Sequence, residues 1–131
     1  MSKLFFTLVE LNPRNHPLNQ DLEVNLNALI ERLSAFRAAF GQPMIVTSGL
    51  RSESDQRRIY AGRKSIPMLS CHLFGQAVDI ADRDRTLSRF CLDNVPLLEK
   101  LGLWCESPER TPTWMHFQTR PSRSGNRFFQ P

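Results

Sequence analysis

Three side chains in this sequence are of the kinds that hold a divalent cation. His72 and Asp79 lie in Ser70-Cys71-His72-Leu73-Phe74-Gly75-Gln76-Ala77-Val78-Asp79-Ile80, and a second imidazole, His116, lies in Trp114-Met115-His116-Phe117-Gln118. Two neutral imidazoles and a carboxylate are a common protein ligand set for catalytic zinc, with a fourth position left for water. The ion brings the pKa of that water toward ~7, so hydroxide is available at neutral pH. The same donors accept other divalent ions, so residue types alone do not choose the metal. The competing reading puts the three on polar surface or in satisfied core bonds, and spacing alone leaves both open. Cys71, beside His72, is a further candidate ligand. The plainer reading of Cys71, Cys91 and Cys105 is reduced thiols, because the count is odd and no CxxC pair occurs.

Strand parity argues for the grouping. Alternate side chains of a strand share a face. Gln76–Ile80 reads as a strand with Ala77 and Asp79 on one face and Val78 and Ile80 on the other. Trp114–Gln118 reads as another, with Trp114, His116 and Gln118 opposite Met115 and Phe117. If these strands are neighbours, the apolar sets line a core while Asp79 and His116 project together from the other face. Ala77 leaves room there, and Gly75 permits the turn that carries His72 back over Asp79.

The remaining elements form a frame for these strands. Residues 21–40 carry Leu22, Leu26, Leu29, Ile30, Leu33, Phe36 and Phe40 at helical period, with Asp21 as cap and Gly41 as stop. Met44–Ser48 is predicted as a strand and Gly49 as a turn. Glu53–Ala61 is predicted as a helix capped by Ser52, followed by a loop over 62–71. Leu87–Leu101 reads as helix, split by Pro96. Residues 103–105 read as strand and Pro108–Pro112 as a turn. Residues 4–9 (LFFTLV) read as a short strand or an anchoring segment, and Asn12–Asn19 as a loop in which His16 is merely solvated. The tail 119–131 is predicted to be extended, basic and partly mobile. Together these give one α+β domain over residues 1–131, a small, mainly antiparallel sheet packed on helices.

Composition fits a globular chain of 131 residues with 40% hydrophobic and 23% charged residues. The formal charge of +4 favours anionic partners, cell wall included. No Lys/Arg block with interleaved aromatics occurs, so nucleic acid is not the expected partner. No apolar run is long enough to span a membrane. The N-terminus lacks a full h-region and cleavage site, so no signal peptide is expected and the product is cytoplasmic as synthesised. A monomer is expected.

The pattern S-x-H-x-x-G-x-A-x-D followed by W-x-H resembles the D-alanyl-D-alanine carboxypeptidase family of zinc peptidases, which includes peptidoglycan endopeptidases and phage endolysins. Val46-Thr47-Ser48-Gly49-Leu50-Arg51-Ser52 is similar to that family's SGYRS segment. The N-terminal FTLVELNP and Phe40-Gly41-Gln42-Pro43 resemble its small phage-associated branch. The likeness spans residues 5–118 and implies a hedgehog/D-Ala-D-Ala peptidase-like fold. It implies one zinc ion on His72, Asp79 and His116, and a peptidoglycan peptide as substrate. Arg51 is implied as the substrate- and oxyanion-contacting arginine, and its fork of donors suits a carbonyl oxygen. Ser70 is implied to hold the His loop or touch substrate. Gln56 and Trp114 are candidates for lining the cleft. The implied setting is a phage lysis or virion component acting on the cell wall.

One position departs from the family. Many members carry Asp or Glu three residues before the last zinc His, as general base and acid; here that residue is Thr113. Some relatives have a His two residues before the ligand, where this chain has Trp114. Three accounts follow. Glu106 or Glu109 acts as the base instead. Alternatively, hydrolysis proceeds slowly with weak help from Thr113 and Arg51. In the third, the chain is a non-catalytic, zinc-containing cell-wall-binding or virion structural protein.

Overall fold

A computed structural model describes residues 3–131. Its scaffold begins with the long amphipathic stripe, which forms helix α2 (Gln20–Phe40) after a one-turn helix α1 (Leu8–Leu11). Leu26, Leu29, Ile30, Leu33 and Phe36 of α2 are buried, and burying each such side chain contributes ~1.5–3 kcal/mol. Gly41 ends the helix in the left-handed conformation, as predicted. The N-cap is Asn19, whose side chain accepts from the Leu22 N–H, so the helix starts before the expected Asp21.

Then come β1 (Val46–Ser48), α3 (Glu53–Ile59), β2 (Ala77–Ala81), α4 (Thr86–Asp93), α5 (Val95–Leu101), β3 (Trp104–Glu106), β4 (Trp114–Gln118) and β5 (Phe128–Phe129). The sheet order is β1-β2-β4-β3-β5. All pairings are antiparallel except β3–β5. The architecture is α+β, and α4 and α5 are separate helices that meet at Asn94, just before Pro96. One face of the sheet packs on α2, where Val78, Ile80, Cys105, Met115 and Phe117 join the core. Phe36 sits between Phe117 and Phe90, with ring centroids at 5.2 and 5.5 Å. The three cysteines are free and buried. Among the described residues, no helix is long and apolar enough to cross a membrane.

Four local expectations are corrected. LFFTLV forms no strand. Thr7 and Glu10 form a reciprocal capping box that turns the chain into α1, and Leu11 goes into the core. His16 is not a free loop histidine, since its Nε2 meets the buried Asp55 carboxylate, which also accepts from the Ser52 N–H and pairs with Arg14 and Arg58. The Asn12 side chain holds the His16 backbone at both its N–H and its C=O. Burial pushes the Asp55 carboxyl pKa up, but its bonds to Ser52 and His16 and the nearby cations outweigh this and hold it low. The tail is extended, but it returns to the sheet: Cys105 donates to the Arg127 carbonyl and Ser107 to the Phe129 carbonyl.

The fourth correction concerns Gly49. Its φ is not positive, so no left-handed turn requires glycine there. Close packing does, because a Cβ at Gly49 would lie 2.2 Å from the Leu11 carbonyl oxygen. That carbonyl accepts from the Leu50 N–H at 2.8 Å, locking α1 against the end of β1. Gly49→Ala is therefore expected to destabilise the protein by ~2–3 kcal/mol, measured by denaturant unfolding. An unchanged midpoint would contradict the contact.

Candidate metal centre

Register places the site. Asp79 on β2 lies directly opposite His116 on β4. The β3–β4 pairing sets Trp104 against Gln118 and Cys105 against Phe117, and the next step brings Glu106 opposite His116. On the outer strands Ser48 pairs with Asp79 and Phe129 with Glu106. One row, Ser48–Asp79–His116–Glu106–Phe129, thus crosses all five strands on the face away from α2. A bulge between Val46 and Ser48 puts Ser48 in this row. An unbroken register from Val46↔Ile80 would have set Ser48 against Val78.

His72 arrives from outside the sheet, on the 3-10 turn Cys71–Phe74. Ser70 caps that turn by accepting from the His72 N–H. Gly75 closes it at φ 69°, packed so tightly on α2 that a Cβ would lie 3.1 Å from Leu26. The returning chain sets the imidazole over Asp79. One ligand atom from each of His72, Asp79 and His116 lies within 4.8 Å of the other two, and all three side chains are buried.

The donor set fits a small divalent cation. Asp79 Oδ1 is 3.4 Å from His72 Nε2 and 3.0 Å from His116 Nδ1. Tetrahedral bonds of ~2.0–2.1 Å require donor separations of about 3.3 Å. Each imidazole's other nitrogen has an acceptor. His72 Nδ1 faces the Gly49 carbonyl at 2.9 Å, and His116 Nε2 faces Gln118 Oε1 at 2.7 Å. The carbonyl fixes the proton on His72 Nδ1. Gln118 Nε2 donates to the Arg120 carbonyl, which leaves Oε1 to accept from His116 Nε2–H. The nitrogens left facing Asp79, Nε2 of His72 and Nδ1 of His116, are therefore the two that a metal would take. Cys71 lies outside this group.

Charge follows the same geometry. Burial raises the Asp79 carboxyl pKa, but both imidazoles outweigh that and hold it far below the usual carboxylate range. Burial pushes His72 below the ordinary imidazole value. His116 is also desolvated, but its bond to Asp79 and the charge of Asp79 raise it overall. Burial raises the Glu106 carboxyl pKa, against the pull of His116.

The other candidate residues fall into two sets. Arg51, Ser70, Glu106 and Trp114 line a cleft of about 900 Å³ over the His–Asp–His cluster. Arg51 is tied down within it, donating to Asp79 Oδ2 at 3.3 Å, Ser48 Oγ at 3.1 Å and Gln56 Oε1 at 3.4 Å. Gln56, expected to line the cleft, is fully buried beneath it, because its amide bridges Arg51 and the Pro67 carbonyl. Glu109 is exposed and accepts from Gln130; Gln130 lines the cleft, and Glu109 does not. Thr113 is exposed, and its carbonyl accepts from the Asp82 N–H. Three contributors escape a reading by residue type: the Gly49 carbonyl, the Ser48 hydroxyl and Gln118. Only Gln118 left a trace, through its shared parity with His116.

These observations meet the comparisons with known proteins. A family model described as Peptidase M15 matches residues 5–97. The matched stretch holds Arg51, Ser70, His72 and Asp79; His116 and Glu106 lie beyond it, and it is the sheet that joins them to the site. Comparison with curated proteins returns no match. With most of its length covered by that model and a His–Asp–His cluster able to bind a metal ion at the base of its cleft, the chain belongs to the peptidase M15 family.

Proposed function

We propose that the protein is a zinc-dependent peptidase that hydrolyses peptide bonds involving D-amino acids in peptidoglycan, acting as carboxypeptidase or endopeptidase. The observation that carries this reading is the convergence of His72, Asp79 and His116 with an ionisable Glu106 beside them in one cleft. His72, Asp79 and His116 would hold the ion. When bound, it supplies Lewis acidity that polarises the scissile carbonyl and acidifies water.

The chain's own residues do the rest. Glu106 is the general base and acid: it takes a proton from the attacking water and returns one to the leaving amine. Its desolvated carboxyl has a raised pKa, which brings it closer to neutral pH, where both transfers are efficient. Arg51 holds the outer oxygen of Asp79 and adds positive charge where the carbonyl oxygen becomes negative. Ser70 fixes the His72 turn, and Trp114 forms an apolar wall for a small side chain such as a D-Ala methyl. The sequence likeness of FTLVELNP and FGQP supports placement in the small phage-associated branch, with a role in lysis or in the virion. The second reading, a zinc-containing cell-wall-binding or structural protein without turnover, rests on Thr113 at the position where relatives carry the carboxylate.

Zinc-loaded protein incubated with purified muropeptides is expected to release new amines. Glu106→Gln should lower kcat by ~10²–10⁴ with zinc content unchanged, and Glu109→Gln should leave kcat near wild type. Binding to sacculi without turnover, even at high protein concentration, would establish the second reading instead.

Metal affinity carries its own pH signature. Zinc must displace any proton from the coordinating nitrogens. His116, its pKa raised by Asp79, keeps that proton to higher pH than a free imidazole does. Affinity, measured by chelator competition, should therefore fall on acidification, with the slope approaching about tenfold per pH unit once His116 is protonated. His116→Ala should abolish tight binding, and a pH-independent affinity would refute this ligand set.

A further inference from the structure

At the end of the cleft remote from Trp114 stands an arginine that the chemistry above does not use. Arg120 follows β4 by two residues and lines the cleft. Its guanidinium is clamped. Nε donates to Gln76 Oε1 at 3.1 Å, Nη1 donates to the Leu69 carbonyl at 2.8 Å, and the group lies 5.1 Å from the Phe74 ring centroid. Its own carbonyl accepts from Gln118, the residue that meets His116. Every one of these partners is neutral. Among the described residues Arg120 forms no ion pair, and Nη2 has no hydrogen-bond partner.

The charges lining the cleft sharpen the point. Its two side-chain carboxylates are Asp79 and Glu106, the terminal residue Pro131 also lines it without pairing to Arg120, and its arginines are Arg51, Arg120 and Arg123. Asp79 is already compensated by Arg51. A guanidinium fixed by neutral acceptors, with an open edge towards a cleft, loses little freedom when an anion binds. Its planar fork fits a carboxylate better than any other peptide group.

We propose that Arg120 recognises a free carboxylate of the peptide, so that the cleft selects acidic peptides over their amidated counterparts. The carboxylate has two sources in a peptide: the C-terminal α-carboxyl group, or an unamidated carboxyl branching from the chain. Binding the first at this end would make the protein a carboxypeptidase, and binding the second would suit an endopeptidase. The proposal rests on the peptidase reading for its substrate but not for its recognition chemistry.

The test uses paired peptides. One pair is a D-Ala-D-Ala-terminated tripeptide as free acid and as C-terminal amide. The other is a cross-link peptide with its branching carboxyl free or amidated. Wild type should favour the acid in one pair by roughly 10- to 100-fold in kcat/KM. The pair that shows the preference identifies the source. Arg120→Gln should bring that ratio close to one, and Arg120→Lys should restore part of it. The acid-to-amide ratio within one variant does not depend on how much of that variant is folded. Equal rates for acid and amide in both pairs, or a preference retained by Arg120→Gln, would overturn the proposal. If no peptide is cleaved, the peptidase reading falls, and calorimetric titration of the same pairs decides this one. Tighter binding of the acid that is lost in Arg120→Gln supports it, and equal binding of acid and amide overturns it.

Discussion

A buried negative charge organises this molecule. Asp79 sits in the middle of the sheet, 8% exposed, where an unpaired carboxylate would cost several kcal/mol. The surrounding structure answers that charge. Oδ1 meets both imidazoles and Oδ2 meets Arg51. The bulge in β1, the Gly49 contact, the turn at Gly75 and the β2–β4 register are each a geometric condition for bringing one of those partners to the carboxylate. Removing any one partner leaves part of the charge unanswered, so the site and the stability of the sheet are coupled.

The two histidines solve the same problem in opposite ways. His72 presents Nε2 because a backbone carbonyl takes its Nδ1 proton, and His116 presents Nδ1 because Gln118 takes its Nε2 proton. A backbone acceptor cannot be lost by substitution, only displaced. Gln118 is a side chain, itself held by the Arg120 carbonyl. The orientation of one ligand therefore depends on local main-chain packing, and that of the other on where the chain runs after β4.

Much of this was legible in the residues. Period-3.6 burial gave α2 within a residue or two, and alternation gave the faces of β2 and β4, because both patterns arise from burial along a single element. Asp79 and His116 could be grouped on one face for the same reason. What was not legible depends on contacts between elements distant in sequence. The β1 bulge has no local signature. The need for glycine at position 49 lies in Leu11, a residue in another element. LFFTLV has strand-like composition, but Thr7 and Glu10 bend it into a helical turn before any strand could form. Glu106 could be nominated only by proximity in sequence to a strand. The pairing of β3 with β4 separates it from Glu109, over which its place directly after a strand favoured it only slightly.

The sheet order has a consequence for synthesis. β4 inserts between β2 and β3, so the middle of the sheet is completed by a strand made after both of its neighbours. A chain still emerging from the ribosome exposes His72 and Asp79 well before His116, and β5 follows later still. Until β4 docks, Asp79 lacks one of its imidazoles and the ligand set is incomplete. A nascent chain therefore cannot assemble the whole centre, and metal loading belongs after translation has passed the last hairpin.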